Sequence, residues 1–447
     1  MDLTTLIPQF GGLIWTLLAF FVALSVIVAI HEYGHYIVGK KSGIFPEVFS
    51  LGFGPVIYSR MDSYGTKWQF ALLPFGGYVK FRGDANASGG VDGAAMEALD
   101  KDALRTTMHG APLWARTATV AAGPLFNFAL SILIFTGVFM ARGTVMEPLT
   151  VGELRNLPVS QELHEGDTIL AIAGKAPPSF DDPVAYEAFM KSLPAQPVLE
   201  YTVDRDGRTE TVTGPYVYPP IATQIAPRSA AGDAGIEAGD VILSIDGTEI
   251  FAFDQLRQRV EGSQGATLGL TVWRGGEVLE VALTPRRVDE PQPDGGFKTF
   301  YRIGVVGGMV FEPATETTGL GPALWGGVMQ VGTIMQGSLS GLWHMVTGSI
   351  STCNLSGPIG IAETSGDMAS QGTTSFIWFI AVLSTAVGLL NLFPVPVLDG
   401  GHLVFYAYEA VSGRPPSDKA LKVLMSIGIT VVLSLMIFAL SNDLFCP

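Results

Sequence analysis

His31-Glu32-Tyr33-Gly34-His35 stands directly after residues 3–30, a run of 28 residues without a charge. About 20 helical residues cross a hydrocarbon core, so the run reads as a membrane span that closes on this pentapeptide. In a helix, residues four apart share a face, and two imidazoles so placed can hold one Zn²⁺. The glutamate beside the first can then take a proton from a water held there. The chain has only six histidines, so a chance pairing explains little. The bland alternative is a helix-end His pair satisfied by hydrogen bonds. Against it, His, Glu and His are costly at membrane depth unless paired or metal-bound. The combination implies peptide-bond hydrolysis inside or at the edge of the bilayer.

Composition sets the frame around that segment. With 447 residues, 48% hydrophobic and 15% charged, and a mean hydropathy of +0.37, the chain is too apolar for an average soluble protein and too charged for a bare membrane bundle. The net charge of −15 is concentrated in residues 142–316, which carry 14 basic and 26 acidic side chains. Nucleic acid is thereby excluded as a natural partner. Cys353 and Cys446 are too few for a disulfide framework and lie in no metal-type spacing, so they read as bystanders. Asp2 stands where a signal peptide would carry basic residues, and the apolar run is too long for one. A retained spanning helix is expected.

Three further stretches can span: 117–141, 368–398 and 423–442. A Gly- and Ser-rich stretch, 317–362, has Leu324, Val328, Met335, Leu342 and Met345 at roughly helical intervals and reads as an interfacial amphipathic helix. Lys40, Lys41, Arg60, Lys67, Lys80, Arg82, Arg105 and Arg116 follow the first span, and Arg414, Lys419 and Lys422 lie between the last two. Basic loops stay in the cytoplasm, which places both termini and the acidic block on the far side.

The acidic block contains a repeat. Glu165-Gly166-Asp167-Thr168-Ile169-Leu170 through Gly174 matches Ala238-Gly239-Asp240-Val241-Ile242-Leu243 through Gly247. Downstream, Val203-Asp204-Arg205-Asp206-Gly207 parallels Val272-Trp273-Arg274-Gly275-Gly276, each a hairpin turn between alternating strands. The pattern resembles PDZ domains of the bacterial protease-associated type. The second copy also has that family's opening loop, at Ser229-Ala230-Ala231 and Ala234-Gly235-Ile236, and the first copy lacks it. Residues 215–220 and 289–296 read as linkers.

A catalytic zinc usually takes three protein ligands and keeps one position open. Asp399 is the candidate third ligand, ending the apolar stretch in Asn391-Leu392-Phe393-Pro394-Val395-Pro396-Val397-Leu398-Asp399-Gly400-Gly401. The prolines break the helix, and non-helical backbone at such depth is tolerated only where it lines a polar cavity or is buried in protein. Asp399 as a mere helix cap and His402 as a competing ligand stay open. His109, His164 and His344 have no partner in a ligand spacing.

HEYGH on the first span, Gly123-Pro124-x-x-Asn127 on the second, tandem PDZ-type modules and Asn391-x-x-Pro394-x-Pro396-x-Leu398-Asp399-Gly400 together resemble the site-2 protease family over nearly the whole chain. Gly52-Phe53-Gly54-Pro55, Pro74-Phe75-Gly76-Gly77-Tyr78-Val79-Lys80 and Ser356-Gly357-Pro358-Ile359-Gly360-Ile361-Ala362 add to it. The resemblance implies that His31, His35 and Asp399 are zinc ligands and Glu32 the general base. It implies regulated intramembrane proteolysis of a single-span, pre-trimmed, anti-sigma-factor-like substrate in a bacterial inner membrane.

A helical substrate must unwind before cleavage, and each freed backbone group then needs a partner. Strand addition supplies such partners. Residues 65–82, with Trp68, Phe70 and Leu72 alternating with Lys67, Gln69 and Ala71, read as a membrane-dipping hairpin for that purpose, with an ordinary surface sheet as the alternative. Gly76, Gly77, Tyr78, Asn391, Pro394 and Pro396 are the candidate substrate contacts. For Asn127, interhelical packing is as good a reading as a role at the site.

The expected architecture is a polytopic α-helical membrane protein with four transmembrane helices, a membrane-associated β-hairpin or sheet and two inserted PDZ-like α/β domains. Its parts are 1–116 (first span and β region), 117–141, 142–218 and 219–290 (the PDZ-like pair), 291–367 (linker and interfacial helix) and 368–447. The active site lies near the cytoplasmic side, and the second PDZ-like domain could take peptide C-termini. The competing function is a membrane scaffold with structural zinc, which has no use for Glu32. A transporter with a broken helix at Pro394–Pro396 lacks the inverted repeat it would need.

Overall fold

The fold is described by a computed structural model over residues 6–85, 96–97, 99–180, 182–292 and 296–446. Residues 1–5, which hold Asp2 and the start of the expected first span, and 293–295 in the second expected linker lie outside the described residues. Two compact units emerge: 1–138 with 323–346 and 355–446, and 139–322 with 347–354.

The first unit begins with helix α1, Leu6–Lys41, 36 residues or about 54 Å long. It runs on past Ile30, so His31 and His35 stand inside the helix rather than at its end. Lys40 and Lys41 occupy its last turn, where they complement the helix dipole. Strands β1 (Pro46–Met61) and β2 (Lys67–Phe81) follow, each bent back on itself at glycines. Phe49 therefore pairs with Trp68 on one side and with Val79 on the other, while Val56 to Met61 pair with Ala71 to Lys67. The result is a four-segment sheet with 77–81 along one edge. Helix α2, Leu113–Arg142, is the second apolar rod.

The second unit holds two β modules. The first comprises β3 (Thr144–Val145), β4 (Val151–Leu154), β5 (Thr168–Ile172), helix α3 (Pro183–Ser192), β6 (Val198–Arg205) and β7 (Arg208–Pro215). The second comprises β8 (Gln224–Ile225), β9 (Val241–Ile245), β10 (Thr248–Glu249), helix α4 (Phe253–Gly262), β11 (Leu268–Arg274) and β12 (Glu277–Leu283). Their sheets run β5-β6-β7 and β10-β9-β11-β12. Each has its own core, around Leu163, Tyr201 and Phe311 in one and Ile242, Ile245 and Leu270 in the other.

The repeated Gly-Asp and Arg-x-Gly signatures meet in space. Arg205 pairs with Asp167 at 2.8 Å, and Arg274 pairs with Asp240 at 2.7 Å. Both carboxylates are 1% exposed and also accept a backbone N–H, from His164 and Glu237.

Residues beyond 285 differ from the linker expected there. β13 (Arg286–Pro291) and β14 (Phe297–Arg302) form a hairpin. Three short strands then return through both modules: β15 (Val305–Val306) pairs with β8, β16 (Phe311–Pro313) with β4, and β17 (Thr315–Glu316) with β3. The second module is thus nested inside the first.

Helix α5, Leu320–Val346, occupies less of 317–362 than its composition suggested. Its small face meets α2, where a side chain on Gly327 would strike the Ile132 carbonyl at 2.8 Å. Trp325, Met329 and Trp343 on its other faces are exposed. The apolar stretch 368–398 is not one span. It is divided among the end of α6 (Pro358–Ser370), α7 (Thr373–Asn391) and a proline turn, because Gly372 takes φ = 115° and breaks the rod. The side chain of Asp443 caps α6, accepting from the backbone N–H of Gly357, Ile359 and Gly360. Helix α8 (Asp399–Ser412) and helix α9 (Asp418–Phe445) complete the unit.

Four helices among the described residues are long and apolar enough to span: Gly12–Lys41, Leu113–Arg142, Thr373–Asn391 and Lys419–Phe445. Neither cysteine is a bystander. Both Cys353 and Cys446 are disulfide-bonded, which two isolated cysteines with no local spacing could not announce.

Candidate metal centre

α1 lays the two imidazoles of HEYGH against α2, and the contact is possible because two glycines strip the interface. A side chain on Gly34 would meet the Ala122 carbonyl at 2.6 Å, and one on Gly123 would meet His35 Nε2 at 2.4 Å. α2 therefore offers a bare stripe at 119, 123 and 127, one residue per turn. At one end of it, His35 Nδ1 lies 2.8 Å from the Thr119 carbonyl. A carbonyl only accepts, so the proton sits on Nδ1 and the Nε2 lone pair is free to bind a cation.

The third group arrives from far along the chain. The turn after α7 is packed tightly onto the first turn of α8, where side chains on Gly400 and Gly401 would strike the carbonyls of Leu392, Phe393 and Val395 at 2.3 Å. That packing holds Asp399, the first residue of α8, over the histidines. His31 Nε2 and His35 Nε2 lie 3.1 Å apart, and Asp399 Oδ2 is 3.2 Å from one and 3.5 Å from the other.

Ligands about 2.0–2.1 Å from a tetrahedral zinc sit about 3.3–3.5 Å from one another. The three observed separations bracket that range. Asp399 Oδ2 is also buried with no hydrogen-bond partner, so the set is short of a cation rather than satisfied within itself. These three side chains form a possible metal-ligand group, to which His402 does not belong.

A cavity of about 440 Å³ opens beside the triad. Glu32, Gly77, Tyr78 and Asn391 line it, and so do His109 and His402. Asn391 donates its amide to the Val387 carbonyl one turn back. Gly76, Pro394 and Pro396 are not in the lining. Gly76 packs on the Phe53 ring, and Pro396 is turned onto Gly401 and Gly428. The two prolines shape the turn that carries Asp399.

Sequence reasoning missed Thr119, whose contribution is a backbone carbonyl, and it left His109 without a partner. His109 Nε2 lies 3.2 Å from the buried Asp84 carboxylate. The spacing Thr119, Gly123, Asn127 on one helix face was the available signal for the stripe.

The sequence profile of peptidase family M50 matches residues 19–435. The chain belongs to peptidase family M50. Among M50-like relatives, a candidate zinc metalloprotease of Agrobacterium fabrum is 33% identical over 99% of both chains. One from Rhizobium meliloti is 35% identical over 96% of each. The regulator of sigma-E protease of Salmonella typhimurium is 30% identical over 97% of this chain and 99% of its own. The M50 chain described here is accordingly a zinc metalloendopeptidase with four helices able to cross a membrane.

Proposed function

We propose that this enzyme cleaves peptide bonds within the membrane-spanning segments of single-span, pre-trimmed regulators of the anti-sigma-factor type, using zinc held by His31, His35 and Asp399. The observation that carries the reading is the triad itself: three donor atoms 3.1–3.5 Å apart, supplied by α1 and the first residue of α8, with Glu32 on the same cavity. Zinc bound there supplies an acidified water, its pKa lowered to about 7, and a polarised scissile carbonyl. Glu32 accepts the water proton and hands it to the departing amine. Gly77 keeps the approach to Glu32 open, since a side chain there would stand 3.1 Å from Glu32 Cγ. A structural zinc site would have no use for that carboxylate.

The edge segment 77–81 has β1 as its strand partner on one side. On the other, the Phe81 N–H is held by the Asp84 carboxylate and the Val79 N–H by Glu32, so an added strand would engage the groups nearer Gly77. Beside Glu32, that edge can take an unwound substrate as an added strand, with Gly77, Tyr78 and Asn391 at its ends. The two β modules of 142–316 are read as PDZ-like domains on the periplasmic side of an inner membrane. Disulfide-bonded Cys446, just past the end of α9, fits an oxidising compartment there, and Arg414, Lys419 and Lys422 at its other end fit the cytoplasm. The second module has a 440 Å³ groove between α4 and β15, suited to an extended peptide end. In the first, the Tyr186 hydroxyl lies over Met309 at 4.0 Å in the corresponding place.

The test is cleavage of a reconstituted single-span substrate. Glu32→Gln should retain zinc and lose cleavage, and Asp399→Ala should lose both. Wild-type cleavage by Glu32→Gln would refute the assignment of the base.

A further inference from the structure

The far end of the α2 stripe carries Asn127, fully buried, with its amide 3.2 Å from His31 Nδ1. As placed, the nitrogen Nδ2 faces the imidazole, and Oδ1 is buried with no partner. That arrangement makes Nδ1 the acceptor and drives the His31 proton onto Nε2, the atom turned toward His35 and Asp399. An imidazole in that tautomer has no lone pair for a cation.

When Nε2 binds the metal, the proton sits on Nδ1, and Nδ2 against it would set two donors face to face. Only the carbonyl end of the amide can then pair. Exchanging the amide's two ends needs no movement of the backbone and gives the partnerless oxygen its donor.

We infer that Asn127 is the positioning residue of the first ligand, its Oδ1 accepting the Nδ1–H of His31 whenever Nε2 holds the metal. Thr119 does the same for His35 through a backbone carbonyl, so one face of α2 sets the tautomers of both histidines. The two partners differ in kind. The Thr119 carbonyl accepts in every state, whereas the Asn127 amide can present either end and is open to substitution. The inference rests on the zinc reading above and adds to it what orients the pair.

The experiment uses the full chain in detergent, loaded with zinc, and follows metal loss to an excess of a chromophoric chelator. Asn127→Leu keeps the volume and removes the acceptor. Loss of such an outer partner typically weakens metal binding 10- to 100-fold, and zinc should leave faster by about that factor. Asn127→Asp, an acceptor of the same size, should release zinc within about threefold of the wild type. Ser131→Ala, which removes the hydroxyl bonded to the Ala381 and Asn127 backbone carbonyls without touching His31 or the Asn127 amide, should match the wild type.

If Asn127→Leu fails to reach the helical far-UV signal of the wild type, Asn127→Ala is read in its place. Wild-type zinc release by Asn127→Leu would overturn the inference alone, as would equal losses from the Leu and Asp variants. A wild-type chain that takes up no zinc would overturn the metal site and this inference together.

Discussion

Two buried polar constellations in this chain are built on opposite principles. In the β modules each buried carboxylate is complete: Asp167 meets the Arg205 guanidinium and the His164 N–H, and Asp240 meets Arg274 and the Glu237 N–H. In the membrane unit His31, His35 and Asp399 converge as a set able to hold a metal ion, and Asp399 Oδ2 has no hydrogen-bond partner. Burying a polar group without a partner costs free energy, so the second arrangement persists only if something outside the chain completes it. Satisfied buried charge holds a fold together, and unsatisfied buried charge marks where a ligand goes.

The largest effect expected from breaking that contrast is at Glu32. Replacing it with Gln should lower cleavage of a single-span substrate by 10²- to 10⁴-fold with one zinc retained, checked by gel assay and metal analysis. Gly123→Ala comes next. Its methyl would press on His35 Nε2 at 2.4 Å, and zinc affinity should fall about 10- to 100-fold in chelator competition.

A change to a completed constellation should leave zinc alone. Arg205→Ala strands Asp167 and should destabilise the first module, read by faster hydrogen exchange in β5 to β7, with zinc content unchanged. Loss of zinc in that variant would erase the distinction between the two kinds of site.

The smallest effect is in pH. Burial pushes the Asp167 carboxyl up, but the Arg205 guanidinium and the His164 N–H outweigh it and hold the pKa below the ordinary carboxylate value. A depressed folded-state pKa contributes stability above the unfolded value of about 3.9, lost as pH falls through the folded one. Protection of β5 amides should therefore hold down to about pH 4 in the wild type and fail at a higher pH in Arg205→Ala. Identical pH profiles for the two would show that the pair is not the source.

The parts legible in the sequence are those with short-range signatures. HEYGH declares itself because both histidines and the glutamate fall within five residues, and Asp399 because it ends an apolar run beside two prolines. Hydropathy could not see the break at Gly372, since one glycine barely changes the mean of a long apolar window. β15 to β17 are two or three residues long, too short for alternation, and their partners lie some 80 to 170 residues earlier. Thr119 acts through a carbonyl that every residue possesses, so its identity carried no signal. The Asp167–Arg205 and Asp240–Arg274 clamps lay in plain view as repeated motifs. Only the fold revealed that the two halves of each motif touch.

The returning strands pair in reverse order, β15 with β8, β16 with β4 and β17 with β3, like brackets closing around one another. The outer module's perimeter is therefore finished only when residue 316 has left the ribosome, after the inner one can already be complete. Cutting the chain between 218 and 219 would take β16 and β17 from the first module, while the second would keep both strands of its own closure, β8 and β15.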